Sequence, residues 1–240
     1  MPTTLTYPEA PPERGRGARV DGELKVRGQM MYADDLALPG LLYVAVVRSP
    51  YAHARIMSIN IEEARKVPGV SRVLTGADVA GLRFGRAVRD VPILAVQKVR
   101  FAGEMVVAVA AESHAIAEEA AALVDVQYDP LPAVFDPVEA LTPGAPAVHD
   151  APWSYAGAAR GPEEPVNLMG RAVSASGGDV EAALAASDRV FEHTFRTQTQ
   201  HHGYLEPHSC TVAVEPDGTG AIPTFRSTCE KRGGPELKAK

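Results

Sequence analysis

The sequence predicts an α+β fold, and three observations support this prediction. Residues 41–47 form a nearly continuous apolar run rich in β-branched side chains, which is typical of a short buried strand. Residues 115–123 are rich in alanine and follow Ser113, a favoured N-cap, so they predict a helix. Long loops separate these signals, which favours a mixed α+β architecture over a doubly wound parallel sheet.

The first strand is bounded by turn signals on both sides. Pro39 and Gly40 suit the central positions of a type II turn, where proline presets φ and glycine supplies a positive φ. The strand over 41–47 should end at Arg48-Ser49-Pro50, because proline cannot donate to a strand ladder. The Arg and His residues that follow, up to residue 56, are expected to lie in one loop.

Further elements alternate along the next eighty residues. A short helix is predicted over 61–67 and a strand over 70–74, whereas Gly81, Gly85 and Pro92 indicate a loop over 81–98. A core strand pair is then expected over 101–110, with a bend at Gly103 and Glu104. The helix over 115–123 follows, and a strand over 124–128 completes the region.

Residues 131–176 lack periodicity and are rich in proline, which predicts a connector that runs over a surface between domains. After it, Asp179 should cap a helix that extends to Ala186. Half-buried strands are predicted over 190–196 and 211–215. The second of them is followed by a turn at Pro216-Asp217-Gly218.

Composition and charge narrow the function classes. The chain is 45% hydrophobic and 22% charged, close to the average for folded globular proteins. Its net charge of −6 and pI near 5.7 argue against nucleic acid as a partner. No apolar run is long enough for a membrane span, residues 1–19 read as a disordered arm, and a cytoplasmic location is expected.

Several segments, in order, resemble one known family. They are DGELKVRG at 21–28, LYVAVVRSPYAHARI at 42–56, PGVSRVLTGAD at 68–78, VRFAGEMVVAV at 99–109, LVDVQYDPLP at 123–132, GDVEAALAASD at 178–188 and FRTQTQHHGYLEP at 195–207. Over about residues 20–215 the chain thereby resembles the N-terminal part of the molybdopterin-binding large subunit of the xanthine dehydrogenase/aldehyde oxidase (molybdenum hydroxylase) family.

The resemblance implies a domain organisation and an activity. Residues 20–130 would form the α/β hammerhead domain, 131–176 a connector, and 177–220 the incomplete start of a molybdopterin-binding domain. The family's complete enzymes would hydroxylate an aldehyde or N-heterocycle with water, a small-molecule reaction. Electrons would pass to iron–sulfur [2Fe–2S] and FAD partner subunits. We expect these residues alone to hold no molybdenum cofactor and to be inactive.

The resemblance also bears on individual side chains. Gln200, His202 and Glu206, with Gln198 beside them, are candidates to face the cofactor cavity, and no catalytic residue is assigned. Cys229 stands where the family has a glutamine that approaches molybdenum, and a thiol cannot reproduce the hydrogen bonds of an amide. The segment 221–240 departs from the family pattern, as a frameshifted, truncated or fragmentary reading frame would.

Two clusters resemble ligand sites without family support. His201, His202, Glu206 and His208 have metal-ligand side chains, but strand geometry would place them on alternate faces, so loop residues without a metal are favoured. Arg48, His53 and Arg55 resemble an anion site. We favour the interpretation that they bind carbonyl groups of their own loop.

Two interpretations of function follow. In the first, the chain is the N-terminal portion of a molybdenum hydroxylase large subunit. In the second, it is a stand-alone hammerhead-type module that acts in interaction or assembly without catalysis. The first is preferred. Because the second half has unfinished strands and apolar residues such as Phe191 and Phe195, self-association is also expected.

Overall fold

The structure, a computed structural model, describes residues 19, 21–32, 35, 38–172, 174, 176–203, 209–214, 219–221 and 237–238. Contacts group these residues into two compact units. One spans Gly40–Phe191, and the other combines the described residues of Met1–Pro39 and Glu192–Lys240. None of the helices in the described ranges is long and apolar enough to cross a membrane.

The Gly40–Phe191 unit carries short strands and short helices. In chain order they are β1 (Tyr43–Arg48), β2 (Ala54–Asn60), α2 (Glu62–Lys66), β3 (Val70–Thr75), β4 (Arg83–Phe84), β5 (Val91–Pro92), β6 (Lys98–Val99), β7 (Met105–Ala111), α3 (His114–Ala122), β8 (Asp125–Pro130) and α4 (Val180–Ala185); helix α1 (Gly22–Val26) precedes them in the other unit.

Two antiparallel sheets organise the described part of this unit. In the first, β7 lies between β1 and β3, so that Val109 is opposite both Ala45 and Val73. In the second, β2 lies between β6 and β8. Helix α3 packs against β1 and β7, and this mixture of sheets with few helices confirms the predicted α+β fold.

The core consists of small and β-branched side chains. Val106, Val107 and Val109 of the central strand β7 are fully buried, together with Val99 of β6 and Ala54 of β2. Successive side chains of β7 point to opposite faces of the sheet, and buried side chains occur on both faces. Buried polar groups next to this strand must therefore form hydrogen bonds with other protein groups.

Most predicted elements of the first half are confirmed within one or two residues. Gly40 and Gly103 have φ of 76° and 93°, as the predicted turn and bend require. Ser113 caps α3 by accepting a hydrogen bond from the amide of Ile116 at 3.3 Å. Asp179 caps α4 in the same way through the amide of Ala182, at 3.1 Å.

Four expectations were wrong. The strand pair predicted over 101–110 does not form, because residues 101–103 are a bend and turn, and β6 and β7 on either side of them belong to different sheets. Residues 54–60 form strand β2 and not a loop, and residues 81–98 contain the β4–β5 pair. Residues 190–196 are irregular, and Phe191 and Phe195 are 77% and 88% exposed. A strand needs a ladder partner, and none of the described residues pairs with this segment, so its alternating pattern produces no strand.

The other unit is described only in part. Strand β10 (Thr219–Ala221) pairs antiparallel with β9 (Ala213–Val214) and with β11 (Leu237–Lys238). The strand predicted over 211–215 therefore includes β9. The predicted turn at 216–218 and residues 1–18 of the predicted arm lie outside the described residues.

Candidate functional site

The predicted connector is folded onto the sheets beside it. The amide of Leu131 donates to the carbonyl of His53 at 2.9 Å, and the amide of Arg89 donates to the carbonyl of Ala156 at 2.9 Å. These contacts place the irregular segment 131–172 against the β2 and β4–β5 regions. The polar side chains along this contact form the candidate site.

Asn167 ties separate turns of this segment together. Its Nδ2 donates to the carbonyls of Ala140 at 3.0 Å and Pro146 at 2.9 Å, and its Oδ1 accepts from the amide of Val148 at 3.0 Å. A side-chain amide offers two donors and an acceptor oxygen, and all three are used here. An aspartate at 167 would lose both donors and place a carboxylate against two carbonyl oxygens.

Arg160 organises the segment in which Asn167 lies. Its guanidinium stands over the ring of Trp153, 5.6 Å from the centroid. Over distances of 2.7–3.1 Å its nitrogens donate to the carbonyls of Gly161, Glu164, Pro165, Val166 and Leu168. The planar donor fork of arginine satisfies carbonyls that an irregular backbone leaves unpaired. We call residues 160–168 the arginine clasp.

Glu104 is a carboxylate inside the protein, 3% exposed, at the start of β7. It accepts a short hydrogen bond from the amide of Arg100, and its Oε1 lies 3.5 Å from the Arg100 guanidinium. Burial raises the pKa of Glu104, and the Arg100 amide and charge oppose that rise. The pair fixes the turn between β6 and β7. The Arg48 guanidinium also holds this turn, because it donates to the carbonyl of Gly103 at 2.9 Å.

His149 belongs to the connector, and Tyr155 links it to Arg83 of β4. Its Nδ1 is 2.9 Å from the Tyr155 hydroxyl, and the Arg83 guanidinium stands 4.8 Å from the centre of the same Tyr155 ring. Burial lowers the pKa of His149 to about 4, and the nearby Arg100 charge acts in the same direction. The imidazole is therefore neutral at physiological pH.

Acid should loosen this contact, because the unfolded chain binds a proton to residue 149 more readily than the folded chain. The stability that neutral His149 contributes is present above pH 6.5 and is lost as the pH falls towards 4. Between pH 7 and 4.5 we expect the contribution of His149 to the free energy of unfolding to fall by about 2 kcal/mol, relative to a variant without this imidazole. Urea titrations followed by Trp153 fluorescence measure it.

The matched variants for this prediction are His149→Gln, which does not titrate, and His114→Gln. His114 is an exposed histidine on α3 whose Nδ1 is 3.4 Å from Glu118. The His149 variant should lose clearly less stability at pH 4.5 than the wild type, while the His114 variant should follow the wild type. Equal acid losses in all three proteins would contradict the role given to His149.

The basic cluster of β1 and β2 resolves into different roles. Arg48 and His53 bind carbonyls, as predicted, but not those of their own loop. Arg48 donates to the carbonyl of Gly103, and His53 Nδ1 donates to the carbonyl of Pro132 at 2.7 Å. Arg55 was wrongly included in that prediction. Its side chain is exposed and makes no hydrogen bond or ion pair within the described residues.

The residues predicted to face a cofactor lie on irregular, exposed backbone or outside the description. Gln198, Gln200, His201 and His202 are exposed, and His201 Nδ1 accepts from the amide of Gly203 at 3.1 Å. Glu206, His208 and Cys229 lie outside the described residues. The position of Gln200, His202 and Glu206 beside a cofactor therefore stays a prediction.

Sequence reasoning assigned no role to Glu104, Lys98, His149, Arg160 or Asn167. A local signal existed for Glu104, because an acidic residue follows Arg100 by four positions in an otherwise apolar stretch. The other contacts, such as the 2.9 Å bond from Lys98 Nζ to Asp150, join residues in a segment with no periodic pattern.

Comparisons with known proteins identify both halves of the chain. The family profile described as "Aldehyde oxidase and xanthine dehydrogenase, a/b hammerhead domain" matches residues 27–132. The profile described as "Molybdopterin cofactor-binding domain" matches residues 161–228, which include the clasp from residue 161 onward and reach into the segment predicted to depart from the family.

Curated relatives align with most of this chain. A probable xanthine dehydrogenase subunit from Bacillus subtilis is 41% identical over 201 residues, which is 83% of this chain and 25% of the relative. The carbon monoxide dehydrogenase large chain of Hydrogenophaga pseudoflava is 36% identical over 191 residues, 78% of this chain and 23% of that protein.

A solved structure extends the likeness to three dimensions. The aldehyde oxidoreductase of Desulfovibrio gigas matches 84% of this chain and 22% of its own, with a TM-score of 0.68 and 29% identity. The chain thus spans about a quarter of the length of these relatives. It belongs to the xanthine dehydrogenase/aldehyde oxidase (molybdenum hydroxylase) family and carries the α/β hammerhead domain followed by the start of the molybdopterin cofactor-binding domain.

Proposed function

We propose that these 240 residues form the N-terminal portion of a molybdenum hydroxylase large subunit. The complete enzyme would hydroxylate an aldehyde or N-heterocycle with water, and electrons would leave through [2Fe–2S] and FAD partner subunits. The observation that carries the proposal is the order of the two family profiles on one chain, hammerhead first and cofactor domain second.

The described residues support a scaffolding role within that subunit. The hammerhead sheets and the arginine clasp belong to the same compact unit, although residues 161–168 of the clasp lie within the cofactor-domain profile. The hammerhead thereby holds the beginning of the cofactor domain in place. Gln200, His202 and Glu206 are our candidates for the cofactor side, and the hydroxylation chemistry requires the three quarters of the subunit that the match to the relatives does not include.

The experiment is reconstitution in two pieces. The tagged 240-residue chain is co-expressed with a polypeptide that carries the remainder of the Bacillus subtilis relative beyond the aligned region, in a host that makes molybdopterin. We expect the two polypeptides to co-purify with molybdenum, measured by elemental analysis. The chain alone should retain none and oxidise neither aldehydes nor purines, because the segments that hold the pterin would be missing.

The same experiment separates the alternative interpretation. A chain that carries stoichiometric molybdenum by itself would overturn the scaffolding role. A chain that folds, fails to bind the complementary polypeptide and stays monodisperse would favour the stand-alone interaction or assembly module. The complementary polypeptide without the 240-residue chain is the control for cofactor loading.

A further inference from the structure

A groove of about 630 Å³ runs between the second sheet and the connector. One wall comes from β2, β6 and the residue before β6, and it is polar and basic. The other wall comes from the connector and carries small or apolar residues together with the carboxylate of Asp150. The lining residues are His53, Arg55, Gln97, Lys98, Leu131, Pro132, Gly144, Pro146, Ala147 and Asp150.

The basic wall places like charges next to each other. Arg55 and Lys98 are direct partners in the antiparallel register of β2 and β6. Like charges at opposed positions of neighbouring strands destabilise a sheet unless an anion lies close to both. Arg55 makes no ion pair within the described residues, although Asp129 is its register partner on β8. Within the described residues, Arg55 is therefore the member of this cationic pair that has no carboxylate partner.

Lys98 has a partner that is easily displaced. Its side chain is 9% exposed and its Nζ lies 2.9 Å from Asp150 Oδ1, whereas the Asp150 side chain is 79% exposed. The Lys98 ammonium holds the pKa of Asp150 below its usual range, so this carboxylate is charged at neutral pH. A buried cation is thus balanced by a solvent-facing carboxylate, which shows that the groove accepts a carboxylate at this position.

His53 adds a third polar group to the same wall. With Nδ1 bonded to the Pro132 carbonyl, its Nε2 is buried and has no hydrogen-bond partner among the described residues. His53 directly precedes β2, and Arg55 lies two positions further along the chain, about 7 Å away in extended backbone. The polar groups are therefore spread along the groove, opposite an apolar wall, and do not converge on one point.

We propose that this groove binds an extended acidic segment of a partner polypeptide. Arg55 anchors a carboxylate of that segment with its free guanidinium, and a second carboxylate competes with Asp150 for Lys98. Charge complementarity supports the assignment, because this basic wall belongs to a chain of net charge −6. The apolar wall at Leu131 and Pro146 suits the backbone and aliphatic parts of a peptide. The proposal does not depend on the molybdenum hydroxylase assignment.

The test uses fluorescein-labelled hexaglutamate and the full 240-residue chain, with fluorescence anisotropy at low salt and pH 7. Arg55→Ala should weaken binding about fivefold, since a solvent-exposed charge pair is typically worth that much. Asp150→Asn should strengthen binding about threefold, because it removes the competing carboxylate. Such a gain cannot result from misfolding.

Matched controls define the outcome. Arg72→Ala alters an exposed arginine of β3, in the other sheet, whose guanidinium bonds the carbonyl of the adjacent Ser71, and it should leave binding unchanged. Unaltered affinity in Arg55→Ala, or no gain in Asp150→Asn, would overturn the proposal. So would complete displacement of the peptide by inorganic phosphate at equal charge concentration, since that result identifies a small-anion site. Circular dichroism confirms that each variant is folded.

Discussion

Replacement of Glu104 by alanine is expected to lower the free energy of unfolding of the Gly40–Phe191 unit by about 3 kcal/mol. The variant would leave the Arg100 guanidinium, 13% exposed, without its carboxylate partner 3.5 Å away. It would also leave the amide of Arg100 without an acceptor at the turn between β6 and β7. Since small domains are stable by only about 5–15 kcal/mol, much of the unit should unfold in mild denaturant.

Glu104→Gln removes the negative charge of this side chain and keeps its size. The glutamine oxygen still accepts from the amide of Arg100, so we expect a loss of about 1 kcal/mol. The raised pKa of Glu104 means that the folded chain binds this proton more tightly than the unfolded chain. The stability that Glu104 contributes therefore falls as the pH rises above 4.5 through its raised pKa, and the glutamine variant should lack this part of the pH dependence.

Urea titrations at several pH values between 4 and 8 measure both effects. Glu119→Ala is the matched control, because this glutamate is exposed on α3 and its loss should change stability by less than about 0.5 kcal/mol. If Glu104→Ala were as mild as Glu119→Ala, the carboxylate would not be the anchor of the turn.

Sequence reasoning succeeded where a local pattern determines local structure. The apolar run that became β1 and the capped helix α3 depend on neighbours within a few positions, so periodicity and capping rules found them. Strand β2 was missed because its register shifts between Ile56 and Ser58, which interrupts the alternation of buried and exposed side chains. The irregular segment 190–196 shows the converse, since alternation alone supplies no partner strand.

The site was harder to predict than the fold for a related reason. Asn167 binds groups 19 to 27 positions earlier, and Lys98 binds a carboxylate 52 positions later. No spacing rule connects residues so far apart across a segment without periodicity. The family motifs located the two domains, but those motifs do not describe how the connector between them is held.

The arginine clasp gives the other large expected effect. Arg160→Ala removes the donors for carbonyls along residues 161–168, and water must replace them. We expect local opening of this segment to become about 30-fold more frequent, which corresponds to about 2 kcal/mol, while the hammerhead sheets keep most of their stability. Arg160→Lys should behave similarly, because a lysine ammonium is a single point charge and cannot span several carbonyls.

Two measurements follow the opening directly. Hydrogen exchange reports the amide of Leu168, which donates to the carbonyl of Pro165 at 2.9 Å. Cleavage by a glutamate-specific protease after Glu163 reports access to the same segment, and this protease does not depend on the arginine that is replaced. Arg171→Ala is the control, since Arg171 is 68% exposed and its ion pair with Glu164, at 4.0 Å, is long and therefore weak.

The arginine clasp should also affect how the chain binds the complementary polypeptide. The cofactor-domain profile begins at residue 161, so the first residues of that domain are those that Arg160 holds. In the two-piece reconstitution, Arg160→Ala should therefore reduce co-purification of the complementary polypeptide, while Arg171→Ala should not. If Arg160→Ala left exchange, cleavage and co-purification unchanged, the carbonyls of 161–168 would be held by other contacts and the clasp would have no positioning role.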